Sequence, residues 1–170
     1  MKQNAFSTVN SEQLANFIAL TFAFDSMMNY RKKVYSDVKA TDFVACGLEY
    51  VYFGYFSITK FSGRRISDED LSMISKAALK KFMCNEFSEN EKVSMLNDIK
   101  DAIKEALLEY DKTESYSSKI DTRLSMPYSL PAFTSIGLFQ QRLSVNHVPM
   151  IDLVAYDDAL NLYRLINSEA

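Results

Sequence analysis

Apolar residues recur every three or four positions through most of the chain, the spacing of helices with one buried face. Leu14, Phe17, Ile18, Phe22 and Met28 share such a face, and Asn10 with Gln13 forms a capping-box pattern just before them. The first helix therefore runs from Asn10 or Ser11 to about Tyr30 or Tyr35, with Arg31, Lys32 and Lys33 suited to the negative end of its dipole. A second start lies at Ser67, a cap followed by the acidic first turn Asp68, Glu69 and Asp70, with Leu71, Ile74, Ala78 and Phe82 as the stripe. A third is Ser88 with Glu91. After it, Val93, Leu96, Ile99, Ile103, Leu107 and Tyr110 line one face, and Asn97, Asp98, Asp101, Lys104 and Glu105 the other.

One segment departs from amphipathic patterning. Residues 48–61 read LEYVYFGYFSITKF, aromatic and β-branched on all sides. Strand propensity is high here, and two strands joined by a turn are the alternative. Against that, strict alternation and a turn dipeptide are both missing. Thr41 with Asp42 and then Gly63 bound the segment as a helix start and stop. The expectation is an aromatic-rich central helix over residues 42–61. Gly47 and Gly54 lie seven residues apart on one side, where another helix can approach closely.

The periodicity fails over residues 111–129, a polar Ser- and Thr-rich stretch read as a long loop. It returns from Leu130 to about Leu143, with Pro131 in a first turn, and again from Pro149 to Ile166. MIDLVAY, residues 150–156, is either the start of that last helix or a short strand. Together these elements predict an all-α fold, a compact single-domain bundle of about five to six helices covering residues 1–170.

Composition agrees. A chain of 170 residues that is 48% hydrophobic buries enough surface to fold unaided. No Pro precedes Pro127, which favours helix. The net charge of −3 and scattered basic clusters do not suit a nucleic-acid partner. The start MKQNAFSTVN lacks the apolar core of a signal peptide, and Glu49 and Lys60 interrupt the longest apolar stretch, so no membrane partner is expected. Cys46 and Cys84 read as buried reduced thiols, and a cytoplasmic location is expected.

Candidate chemistry is sparse. His147 is the single histidine, which excludes Cys/His zinc sites and the paired Glu-x-x-His motifs of carboxylate-bridged metal bundles. A phosphate-binding glycine loop and a nucleophile elbow are both missing. No metal or other cofactor is expected, and no complete catalytic constellation can be named. On a regular helical wheel Asp25 falls within the apolar face of the first helix, where a carboxylate needs a partner or a raised pKa. Glu49 falls near Phe56 and Lys60, a wet edge of the aromatic helix. Arg64 and Arg65 precede an acidic helix start and are expected to pair with its carboxylates or to dock an acidic partner. The candidate binding residues are Asp25, Glu49, Phe53, Phe56, Lys60, Arg64 and Arg65.

The chain has 10 Tyr, 12 Phe and 8 Met, residue types enriched where partners dock. The expected function is a helical protein–protein interaction module: an adaptor, inhibitor, immunity-type or regulatory subunit without catalytic activity. Its partner would be another protein or a second copy of this chain. The alternative is a small-molecule or lipid-binding helical domain with an apolar pocket between helices.

Overall fold

The computed structural model describes residues 4–33, 40–82, 87–113, 134–145 and 151–168. The expected loop at 111–129 (beyond Thr113), the start proposed at Leu130 and Pro131, Tyr35, Cys84, His147 and Pro149 lie outside them. The described residues form helices joined by turns, without a strand: α1 (Ala5–Thr8), α2 (Ser11–Asn16), a π turn (Phe17–Ala23), α3 (Phe24–Lys33), α4 (Ala40–Ser62), α5 (Asp68–Phe82), α6 (Glu89–Asp111), α7 (Ser135–Ser144) and α8 (Ile151–Ser168). With α2, the π turn and α3 taken as one interrupted rod, there are seven helices among the described residues. The excess over five to six is α1, a single turn capped by the Asn4 side chain. Residues 151–156 are helical, which removes the strand alternative there. Among the described residues no helix is long and apolar enough to cross a membrane.

The local signals operate as written. Asn10 accepts from the Gln13 N–H at 2.8 Å, while Gln13 accepts from the Asn10 N–H at 3.2 Å. Ser88 and Glu91 exchange the same pair of bonds. Ser67 accepts from the Asp70 N–H at 3.1 Å, and Thr134 caps α7. Gly63 ends α4 at φ 76°, a left-handed conformation that favours glycine. Thr41 lies inside α4 instead of capping it, because the helix already starts at Ala40.

Helix α4 is the centre of the molecule. It packs against α1, the π turn, α3, α5, α6, α7 and α8, and Tyr50 to Ile58 are buried without interruption. Enclosure on all sides explains why the segment lacks amphipathic patterning. The two α4 glycines meet different neighbours. A Cβ on Gly47 would fall 2.5 Å from the Phe82 ring of α5, and one on Gly54 would fall 3.0 Å from the Phe22 ring in the π turn. Both positions therefore permit contacts that any larger residue would push apart.

The π turn changes the register of the first rod. Its buried side chains step from Leu14 to Ile18 to Phe22 by fours, then to Met27 by five and Tyr30 by three. A π turn inserts one residue, about 100° of rotation, relative to a regular α-helix. That extra residue replaces Met28 with Met27 in the core and carries Asp25 to the surface. The wheel position inferred for Asp25 assumed an unbroken α-helix and is corrected by this insertion.

Candidate functional site

The seven residues expected to bind are dispersed. Asp25, Lys60 and Arg65 are exposed. Phe53 and Phe56 are core. The Phe53 ring stacks on Phe139 of α7, centroids 4.2 Å apart and planes within 6°, and meets Tyr110 and Tyr163 at 5.8 Å. Phe56 stacks on Tyr110 at 5.0 Å. Glu49 and Arg64 each enter a separate polar cluster.

Arg64 belongs to the most buried one. Its Nε and Nη2 fork donates to the two carboxylate oxygens of Asp70 at 2.8 Å each, and its Nη1 donates to the Phe6 and Val9 carbonyls at 3.0 and 2.6 Å. Ser11 Oγ donates to Asp70 Oδ1 at 2.6 Å and the Tyr55 hydroxyl to Oδ2 at 3.1 Å. Burial alone would raise the Asp70 pKa. The Arg64 hydrogen bonds and charge, with Ser11 and Tyr55, outweigh it and hold the carboxyl below the ordinary aspartate range. Every acceptor position is used, so the cluster ties the amino-terminal turns to α4 and α5 and leaves nothing for a substrate.

Glu49 sits two turns into α4 and faces Arg142 of α7. Arg142 Nε donates to Oε2 at 2.7 Å and Nη2 to Oε1 at 3.2 Å, while its Nη1 bonds Glu109 of α6. The guanidinium also lies 5.9 Å from the Tyr52 ring centroid. Burial raises the Glu49 pKa, partly offset by Arg142. The pair borders an open cleft of about 400 Å³ lined by Glu109, Lys112, Thr113, Leu138, Gln141, Arg142 and Val145. Both Glu49 oxygens are engaged by Arg142, so the residue anchors α7 to α4 instead of serving as a free base. The wet edge expected at Glu49 is thus an interhelical ion pair, and Lys60 takes no part in it. Neither Arg142 nor Glu109 stands out in the linear pattern, because they lie 33 positions apart and meet only through packing.

A third carboxylate, Asp158 of α8, accepts from the Tyr50 hydroxyl at 2.6 Å. Burial pushes its pKa from 3.8 up to about 6. The hydrogen bonds of Tyr50 and Ser26 oppose this rise, and Asp157 adds to it. A folded-state pKa raised above the unfolded value means the protonated form fits the fold better. The associated stability is full below about pH 4 and is lost as pH rises through about 6. Asp158→Asn keeps an acceptor for Tyr50 without the charge. It is expected to stabilise the protein at pH 7.5 by about 2–3 kcal/mol and to flatten the stability profile between pH 4 and 6. Urea denaturation across that range checks this, and a profile parallel to wild type would contradict it.

Burial, with Asp42 and Glu49, pushes the Cys46 thiol up to about 12, so it is not a thiolate at neutral pH. Among the described residues no group of three or more His, Cys, Asp or Glu side chains is placed to hold a metal ion. The buried Ser57 and Tyr110 hydroxyls have no hydrogen-bond partner among the described residues, and neither lines the cleft beside Arg142.

The last feature is apolar. The stripe on α6 is covered at Ile99, Ile103, Leu107 and Tyr110, but its first two turns run beyond the core. Leu96 is only half-buried and Val93 is 57% exposed. Beside them α5 contributes Leu79, and Phe87 precedes α6, forming a groove of about 370 Å³ rimmed by Lys76, Lys80, Lys92 and Glu89. Periodicity places Val93 and Leu96 on the buried stripe. The place where the covering helices stop is not encoded in that periodicity.

Comparison with protein-family models, curated proteins and solved structures finds no match to the chain.

Proposed function

We propose that the protein is a helical protein–protein interaction module without catalytic activity, an adaptor, inhibitor, immunity-type or regulatory subunit acting in the cytoplasm. The observation that carries this reading is the uncovered start of the α6 stripe. An amphipathic helix normally buries its apolar face, and here Val93 and Leu96 continue that face into a groove open to a partner. The polar clusters support the same reading from the other side. Asp70 and Glu49 have their oxygens committed to structural hydrogen bonds, so neither of these two carboxylates is free to act on a substrate.

Site-specific photo-crosslinking tests the proposal. A crosslinker at position 93 is expected to trap one defined protein, and a crosslinker at the exposed Asp98, turned well away around α6, is expected not to. With that protein purified, Val93→Asp should weaken binding at least about 10-fold. Because Val93 is largely exposed, it should change stability by no more than about 0.5 kcal/mol. Equal adducts at positions 93 and 98, or unchanged affinity, would refute the docking role.

The small-molecule or lipid-binding alternative is supported by the same groove, whose volume of about 370 Å³ lies at the low end for ligand pockets. Native mass spectrometry of the purified protein separates the two. A retained small molecule, lost in Val93→Asp, favours the alternative.

A further inference from the structure

We infer that the occupant of the α5–α6 groove is an acidic amphipathic helix. This rests on reading the groove as a docking surface and goes further by giving the partner's chemistry. The walls are two helices, α5 contributing little more than one turn, Lys76 to Lys80, and α6 about two, Glu89 to Leu96. A trough between two helices accepts the ridge of a third, which anchors through apolar side chains at i, i+3 or i+4, and i+7. Leu79, Leu96, Val93 and Phe87 form the apolar floor and lip.

The rim sets the charge. Three lysines and one carboxylate border the groove, on a chain whose net charge is −3. Lys76 and Lys80 form no ion pair among the described residues. Lys92 meets Glu89 only at 3.5 Å, and the Glu89 side chain is 90% exposed. Such a contact contributes little and is readily exchanged for a partner's carboxylate. The lysine stems can lie along the apolar floor while their ammonium groups reach outward. A helix with Glu or Asp flanking its apolar stripe would therefore meet apolar surface at the centre and cations at the edge.

The same rim argues against a second copy. A symmetric dimer sets the same patch against itself, so Lys76, Lys80 and Lys92 of one protomer would face the like charges of the other.

The experiment selects binders for the full chain from a displayed library of amphipathic helices. Apolar positions are fixed and flanking positions are randomised among Glu, Lys, Gln and Ala. The wild-type protein is expected to enrich acidic flanks, with the best acidic clones binding about 10-fold more tightly than their Lys-for-Glu counterparts and losing that advantage in high salt. The double variant Lys76→Glu, Lys80→Glu should shift the enriched flanks towards basic residues. Val93→Asp should remove enrichment altogether. All the substituted side chains are exposed, and an unchanged circular dichroism melt confirms folding. Enrichment without charge preference, yet abolished by Val93→Asp, overturns the acidic partner while leaving the groove a docking surface. No enrichment by wild type overturns the inference. If a fluorescent fatty acid is bound in that case, the groove belongs to a lipid; if position 93 also yields no specific crosslink, the interaction reading fails with it.

Discussion

Asp70→Ala is expected to lower stability by about 3–5 kcal/mol, the range for removing one partner of a buried ion pair. The residue is 1% exposed, and its loss leaves the Arg64 guanidinium in a site built for two charges. Ser11 and Tyr55 lose their acceptor in the same step. For a chain of this size the melting temperature should fall by about 10 °C. Arg64→Lys should recover only part of the native stability, because an ammonium group cannot reproduce the bidentate fork while also reaching the Phe6 and Val9 carbonyls. Hydrogen exchange should then rise first in residues 5–16, which the Arg64 side chain ties to α4 and α5. The pH dependence has a definite sign. The Asp70 pKa lies below the unfolded value, so its contribution is present above about pH 4 and is lost as pH falls through the folded value. Asp70→Asn should lack that acid-side loss. A variant melting within about 2 °C of wild type would show that the network contributes little.

Phe53→Ala is expected to cost about 3–5 kcal/mol, as for other buried aromatic truncations. The ring is fully buried and is held by Phe139, Tyr110 and Tyr163, from α7, α6 and α8. Removing it opens a void where four helices meet, and α4 cannot collapse into it without moving the Glu49–Arg142 pair one turn away. Phe53→Leu, which keeps more of the volume, should cost less. Urea unfolding should show a lower midpoint with an unchanged slope. The opposite pattern, normal stability with lost partner binding, would restore Phe53 as a contact residue. In combination with Val93→Asp the stability effects should add, since Val93 is largely exposed on α6 while Phe53 is fully buried in α4.

The contrast between Phe53 and Val93 shows what the sequence can and cannot convey. Phe53 attracts attention as an aromatic in an aromatic run, yet three other helices enclose it. Val93 looks like one more residue of a buried stripe, yet the stripe outlasts its cover. In both cases the residue type is legible and its exposure is not, because exposure depends on which helices arrive from elsewhere in the chain. Asp25 fails for a local reason. Wheel positions accumulate 100° per residue, so one π insertion is enough to move a residue from the core face to solvent.

Capping residues, apolar spacing and the scarcity of Pro and Gly determined the all-α fold, the starts at Asn10, Ser67 and Ser88, the stop at Gly63 and the central position of the aromatic helix. These are short-range effects, set by backbone hydrogen bonds within a turn or by periodicity along one element. Packing alone decided that Arg64 locks onto Asp70, that Arg142 bridges Glu49 and Glu109, that Asp158 meets Tyr50, and that the first turns of α6 remain open between lysines. Those pairings join residues up to 108 positions apart. Their energies depend on burial and geometry, which no linear pattern specifies before the helices meet.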